Sequence, residues 1–478
     1  MSTTRRAFLG AAAAQAAAPA AKPPNILFLM PDQHRAQSVG CFGNPEVRTP
    51  HIDRLASEGL LLRNTFANTP VCCPARANLL TGQYTHRNGM LANDLRLRES
   101  SMSLAKVLSS AGYRTGFVGK WHLDGGKRLP GYVPPGPRRQ GFQFWAANEC
   151  SHAHFSNTYF RDTGEAIPLR KFEAEGWADL GFEFLRGVKT DPRPFYLTIQ
   201  WGPPHDPYKA PPEYSRMYPP EKLAMRKNWQ SKPGLPGPKE IAEYYGMITA
   251  LDDQVGRLMG VLDELGLRDN TIVVYSSDHG DMLGSQGQRL KRKPWEESIH
   301  IPGMLRWPAR VKPAQKSDLI FTHVDFAPTF LGLAGLPVPR EMQGKDLSAS
   351  ILHGKPGPDS AFFQIFGPFQ GDGTEDAWRG VRTASHMYAR FPHKPWVLYD
   401  LAKDPYEQRN LAGERSAVAI EQEMERRLRD WMQRTGDDLR FNWTAPVEDG
   451  GRLYRNQTFY TVDEYMQWAR EHPEAATD

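Results

Sequence analysis

The chain has 478 residues, 40% hydrophobic and 24% charged, which is the composition of a soluble globular protein with room for a sizeable core. A net charge of +5 permits an anionic substrate, while no dense basic run or base-stacking motif points to nucleic acid. No stretch is long and apolar enough to span a membrane.

The amino terminus, STTRRAFLGAAAAQAAAPAAKPPN, sets Arg5 and Arg6 ahead of Ala7, Phe8 and Leu9 and an alanine-rich run ending in A-x-A-like sites. This reads as a twin-arginine export signal over 1–21, cut near Ala18 or Ala21. The twin-arginine export machinery is then an expected partner and the expected location is periplasmic or secreted. Four cysteines, Cys41, Cys72, Cys73 and Cys150, do not make a disulfide scaffold, and adjacent Cys72 and Cys73 are poorly placed to pair.

Beyond the signal, short β-branched and aromatic runs alternate with longer helical patterns. The expected strands are NILFLM (25–30), RTGFVG (114–119), PFYLTIQW (194–201) and TIVVYSS (271–277). Between the last two, residues 240–266 carry apolar side chains at spacings of three and four and stop at Gly266, which predicts a long helix. Proline- and glycine-rich stretches at 129–137, 202–212 and 231–238 read as surface loops. After about residue 350 the texture changes: WRGVRTASHMYARF and WVLYDL read as an antiparallel pair followed by a charged helix near 415–434. The expected fold class is α/β, a mostly parallel sheet sandwiched by helices over 22–350, with a smaller α+β subdomain containing an antiparallel sheet over 351–478.

Each of the four strands is followed by groups that carry chemistry: Asp32 and Gln33, Lys120 and His122, His205, and Asp278 and His279. In an open parallel sheet the carboxyl ends share one edge and ligands bind there, so four separate segments deliver these residues to one crevice. A divalent cation is the simplest reason to gather Asp32, Gln33, Asp278 and His279, because unpaired buried carboxylates repel one another. Asp278 also suits capping of its own turn.

The stretch CCPARANLLTG places Pro74 in the first turn of a helix that ends at Gly82, so Cys72 lies at or just before its amino terminus. Free N–H groups and the helix dipole there favour a thiolate or an anionic substrate, and Arg76 adds a permanent positive charge. On these residues alone, two small buried cysteines remain an open alternative.

CCPAR at 72–76 fits the C-x-P-x-R signature of the type I sulfatases of the alkaline phosphatase superfamily. NILFLMPDQ resembles that family's first metal segment, GYRTGFVGKWHL (112–123) its second signature, and TIVVYSSDHGDMLG (271–284) its second metal segment. KRKPWEESIHIPGMLRWP (291–308) resembles the segment with a second active-site lysine, and VLYDLAKDPYEQRNLA (397–412) the family's carboxy-terminal hallmark. These matches span nearly all of the mature chain in the family's order.

The resemblance implies an alkaline-phosphatase-like fold and a sulfuric ester hydrolase. Cys72 matches the cysteine that a formylglycine-generating enzyme oxidises, and the hydrated aldehyde is the nucleophile. One hydroxyl attacks sulfur and expels the alcohol, with Arg76 and Lys120 holding the nucleophile and the sulfate oxygens. His122 takes the proton that releases sulfate, and His205 and Lys291 contact sulfate and help protonate the leaving oxygen. Lys291 is preferred to nearby Lys293 for its spacing ahead of Trp295 and Glu296. The implied metal set is Asp32, Gln33, modified Cys72, Asp278 and His279. Many sulfatases have Asp-Asp and Asp-Asn at the two paired positions, so this chain loses a negative charge and gains an imidazole. Calcium is the first expectation, while the imidazole suits manganese or zinc better than calcium. The expected substrate is a sulfated small molecule or saccharide, the latter on export and on polar and aromatic loop residues around 138–155. Phosphonate monoester or phosphodiester hydrolysis by the same formylglycine is the alternative. A glycan-binding protein on an inactive sulfatase fold is the third reading, and the full set of catalytic positions argues against it.

Overall fold

All seven residues of Asn25–Pro31 are buried, because a parallel strand at the centre of a covered sheet has no solvent face and reads as a continuous apolar run. The computed structural model describes residues 22–125, 129–366, 377–391, 393–437 and Glu471. The export signal read over 1–21 lies outside the described residues.

In chain order the strands are β1 (Asn25–Pro31), β2 (Leu60–Phe66), β3 (Arg114–Lys120), β4 (Phe144–Asn148), β5 (Asn157–Tyr159), β6 (Ile167–Leu169) and β7 (Phe195–Trp201). They continue with β8 (Thr271–Ser276), β9 (Gly303–Arg306), β10 (Gln315–Thr322), β11 (Ser360–Ile365), β12 (Trp378–Thr383), β13 (His386–Arg390) and β14 (Pro395–Asp400). The main sheet has the order β10-β2-β9-β8-β1-β7-β3-β4, parallel except at β9, which runs antiparallel to β2 and β8. Side chains alternate across it: Ile26, Phe28 and Met30 pack with Leu104, Phe326 and Phe330 on one face. Leu27 and Leu29 pack with Trp177, Leu251 and Leu258 on the other. Helices Cys72–Thr81, Leu104–Ser110 and His323–Leu333 therefore cover one side, and Glu173–Gly187 and Pro238–Glu264 the other.

The four expected strands are β1, β3, β7 and β8, and β8, β1, β7 and β3 are direct neighbours in the sheet. Their shared polarity brings the four carboxyl ends to one edge. The long helix runs Pro238–Glu264, with Gly266 in the left-handed conformation at φ 68° just past its end.

The expected antiparallel pair is part of a four-stranded sheet, β11-β12-β13-β14. WRGVRTASHMYARF itself folds back, because Thr383 Oγ1 accepts from the N–H groups of Ser385 and His386 and so closes a tight turn. One face of this sheet, with Phe363, Met387 and Val397, shares the apolar core of the main sheet. The other, with Phe362, Tyr388 and Leu398, packs on Met424, Leu428 and Met432 of helix Val418–Thr435.

Two buried histidines brace β8 and the loop that follows it. The imidazole of His34 donates from Nε2 to Ser38 O (3.1 Å) and accepts from Tyr275 Oη at Nδ1 (2.9 Å). His323 donates from Nε2 to Ser277 O (2.9 Å). Burial, the dominant cause, lowers both to about 4. The unfolded chain takes up these protons first, so the stability that neutral His34 and His323 contribute is present above the unfolded pKa near 6.5 and is lost as pH falls towards 4. At about 1.4 kcal/mol per pH unit, each histidine accounts for about 3 kcal/mol of that loss. Urea unfolding of wild type and His34→Gln at pH 7 and pH 4.5 measures it: the drop between the two pH values is expected to be smaller in the variant.

Candidate active site

Cys72 opens helix Cys72–Thr81, all ten residues of which are buried, with Val71 as its extended N-cap residue. Pro74 is tolerated because the first turn needs no intrahelical N–H donor. Arg76, four residues on, lies on the same helix face as Cys72 and reaches across the strand ends. Its Nη2 contacts Asp32 Oδ2 at 3.1 Å and Asp278 Oδ2 at 3.0 Å, and its Nη1 donates to Gln200 Oε1 (2.6 Å) and Lys120 O (2.8 Å). Lys120 Nζ meets Asp32 Oδ2 at 2.6 Å. The backbone just before Lys120 requires glycine: a Cβ on Gly119 (φ 106°) would lie 2.0 Å from Gln200 O on the neighbouring strand.

Asp32, Cys72, Asp278 and His279 each turn a ligand atom inward, and these four atoms all lie within 4.8 Å of one another. His279 Nδ1 donates to Gly280 O (3.0 Å), which fixes the tautomer and leaves the Nε2 lone pair facing the cluster. That Nε2 lies 3.3 Å from Cys72 Sγ, 3.5 Å from Asp32 Oδ1 and 3.7 Å from Asp278 Oδ1. Two carboxylates, one imidazole lone pair and the group at residue 72 form a donor set that fits a divalent cation. Burial works against ionising Asp32, yet Lys120 and Arg76 hold it well below the usual carboxylate range. Burial and the charge of Asp32 push Asp278 up. Burial also opposes the Cys72 thiolate, but Lys291 and Lys120 draw this thiol well below its ordinary value, so the position favours negative charge. A second acidic group, His51 with Asp252 and Asp253, is otherwise engaged: Asp252 accepts from the N–H groups of His51 and Ile52, and Asp253 from Tyr214 Oη.

Gln33 adopts a left-handed backbone (φ 66°), and its carboxamide accepts from Lys291 Nζ (2.7 Å) and donates to Asp281 Oδ2 (2.7 Å). Its backbone N–H reaches Asp278 Oδ1 at 3.0 Å. His205 Nδ1 donates to Asp206 O (2.6 Å), so Nε2 is free to accept from Lys291 Nζ (2.8 Å). His122 (φ 54°) donates from Nε2 to Asp94 Oδ1 at 3.0 Å. Its Nδ1 is buried and without a hydrogen-bond partner, and the ring lines a cavity of about 170 Å³ above Cys72. His205 and Lys291 line the same cavity.

Sheet, crevice and buried acid cluster together define a hydrolase of the alkaline phosphatase superfamily. The family model Sulfatase matches residues 24–336, and N-sulphoglucosamine sulphohydrolase, C-terminal, matches 284–434. An ulvan-active sulfatase of Formosa agariphila is 36% identical over 425 residues, covering 87% of this chain and 82% of that protein. An N-acetylglucosamine-6-O-sulfatase of Bacteroides thetaiotaomicron is 26% identical, covering 87% and 88%. The crystal structure of the sulfatase YidJ from Bacteroides fragilis superposes with a TM-score of 0.81 at 31% identity, covering 89% of this chain and 98% of that one. The chain belongs to the sulfatase family and is a sulfuric ester hydrolase.

The site residues read from the sequence meet at this crevice in pairs that the chain order hides, but Gln33, expected among the metal ligands, spends its carboxamide on Lys291 and Asp281 instead. Lys291, not Lys293, reaches Gln33 and His205. Several participants went unread. Asp94 on a loop orients His122, and Gln200 inside β7 holds Arg76. His152 stacks on His205 with ring centroids 4.2 Å apart and planes 3° apart, and burial with the charge of Lys120 keeps it neutral. His154 pairs with Glu173 through Nδ1 and donates from Nε2 to His205 O (2.7 Å), bracing the His205 loop from behind. The His152–His154 spacing within the aromatic stretch 138–155 was the one sequence signal available for that pair.

Asp94→Asn removes the carboxylate that holds the His122 Nε2–H tautomer. Turnover of a sulfate ester is expected to fall about 10- to 100-fold, as for outer-shell partners of functional histidines, with KM changing less than kcat. Steady-state kinetics, with thermal unfolding as the folding control, checks this.

Proposed function

We propose that this enzyme removes sulfate from a sulfated carbohydrate, with a formylglycine made from Cys72 as nucleophile. The observation that carries this reading is the buried, unpartnered Nδ1 of His122, oriented by Asp94 and lining the cavity that Cys72 opens into. A ring nitrogen on the wall of the cavity that residue 72 also lines suits a hydroxyl-bearing side chain there, and the Sγ of the encoded cysteine stands in for the oxygens of the hydrated aldehyde.

A divalent cation held by Asp32, Asp278, His279 and modified residue 72, with Gln33 beside them, would supply positive charge that makes a hydroxyl at residue 72 more acidic. Arg76 and Lys120 stay anchored on Asp32 and present a fixed positive field to the sulfate oxygens. His122 accepts the proton of the residue 72 hydroxyl. Lys291, hydrogen-bonded to His205 Nε2, carries the proton available to the leaving oxygen. Formylglycine formation by a formylglycine-generating enzyme before twin-arginine export of the folded protein is consistent with both sequence features. The carbohydrate is supported by the sugar-active relatives and by the polar lining of the cavity.

A peptide mass spectrum of protein purified from its own host tests the nucleophile on the tryptic fragment Asn64 to Arg76: residue 72 is expected as the aldehyde. Fully active protein with an unmodified Cys72 thiol would sink the mechanism. Parallel kinetics on sulfate esters, phosphate diesters and phosphonate monoesters tests the substrate class, and kcat/KM is expected to be highest for a sulfate ester. A dominant phosphonate or diester activity would replace this reading with the alternative hydrolase.

The imidazole of His279 sets the metal preference. His279→Asn, which turns this ligand into an oxygen donor, is expected to shift bound metal towards calcium over manganese or zinc. Elemental analysis after equilibration with equal concentrations of the three ions reads that shift.

A further inference from the structure

The cations deepest in the site are all engaged. Arg76 pairs with Asp32 and Asp278, Lys120 with Asp32, and Lys291 with Gln33 and His205. At the cavity rim, two residues before Lys291, Arg289 is exposed, and its guanidinium makes no hydrogen bond, ion pair or ring contact among the described residues. Its charge is felt in the pocket all the same: burial pushes Asp206 up, but Lys291, Gln33 and then Arg289 hold it low.

The segment that presents this side chain is fixed on both sides. Before Arg289, Gln288 O accepts from the Gly284 N–H (2.9 Å); after it, Leu290 O accepts from the Met282 N–H (2.7 Å) and Arg292 O from Trp378 Nε1 (2.9 Å). Leu290 and Arg292 hold φ angles of 60° and 73°, a left-handed backbone that non-glycine residues keep only where the surroundings impose it. Such alternation directs Lys291 to the floor of the cavity and leaves Arg289 at its mouth. A planar guanidinium there is shaped for two-point contact with a carboxylate or a sulfate.

We propose that Arg289 binds a second anionic group on the saccharide that leaves, a carboxylate or a further sulfate, and so selects substrates with two anions. This rests on the sulfated-carbohydrate reading and adds the charge pattern of the sugar beyond the scissile ester.

The test uses metal-loaded, formylglycine-containing enzyme with three probes: 4-nitrophenyl sulfate, a sulfated disaccharide containing a uronate, and a disulfated hexosamine. The readout is kcat/KM for each two-anion probe divided by that for 4-nitrophenyl sulfate. Arg289→Gln is expected to lower this ratio at least tenfold, mainly through KM, and Arg289→Lys to restore part of it. Loss confined to the uronate probe assigns a carboxylate, and loss confined to the disulfated probe assigns a sulfate. An unchanged ratio for both probes overturns the proposal, whether or not the variant is slower throughout. Wild-type enzyme that hydrolyses 4-nitrophenyl sulfate but neither saccharide leaves the sulfatase assignment standing and overturns both the carbohydrate reading and this inference.

Discussion

Asp32 is a carboxylate with no exposed surface, and a buried charge of that kind survives only if opposite charge is brought to it. Lys120 at the end of β3 and Arg76 from helix Cys72–Thr81 do so, at 2.6 and 3.1 Å. Arg76 in turn holds Asp278 and Gln200, so one guanidinium ties together the ends of β1, β7 and β8 and the helix that begins with Cys72. The register of the four central strands is what makes this compensation geometrically possible, and a slip in β1, β3 or β8 would leave a charge unpaired. The site is therefore also a structural constraint on the sheet that carries it.

Around that cluster, direction is set by outer hydrogen bonds. Gly280 O fixes the tautomer of His279, Asp94 that of His122, and Asp206 O that of His205. In each case one ring nitrogen is committed to the scaffold and the other is turned towards the cavity or the acid cluster. The His154–Glu173 pair extends the pattern one layer further, buried between helix Glu173–Gly187 and the His205 loop. Gly202 permits that close packing, since a Cβ there would lie 2.3 Å from Glu173 Oε1. Three imidazoles are thereby held in defined orientations by hydrogen bonds to their neighbours.

The four central strands were legible because each is an uninterrupted apolar run bounded by polar residues, the signature of a strand buried on both faces. The strands that went unread have weaker patterns. β2 exposes Arg63 in mid-strand, β9 is four residues long, and β10 alternates without a strong apolar face over its first half. The carboxy-terminal sheet was half read because the turn between β12 and β13 carries neither glycine nor proline and depends on the Thr383 hydroxyl.

By itself the sequence determined the α/β class and the edge at which the chemistry gathers, and it pointed to Cys72, Arg76, Lys120, His122, His205, Asp32, Asp278 and His279 because strand ends and helix starts are local signals and each of these residues lies close to one, whereas Lys291 was reached only through the motif that begins with it, KRKPWEESIHIPGMLRWP. Only the tertiary structure decided which of them touch. The pairing of Arg76 with Asp278, the turn of Gln33 towards Lys291 and Asp281, and the parts taken by Asp94, Gln200, His152 and Glu173 all join residues distant along the chain. Hydrogen bonds and ion pairs act over about 3 Å, and no local pattern records which distant segments packing will bring within that range.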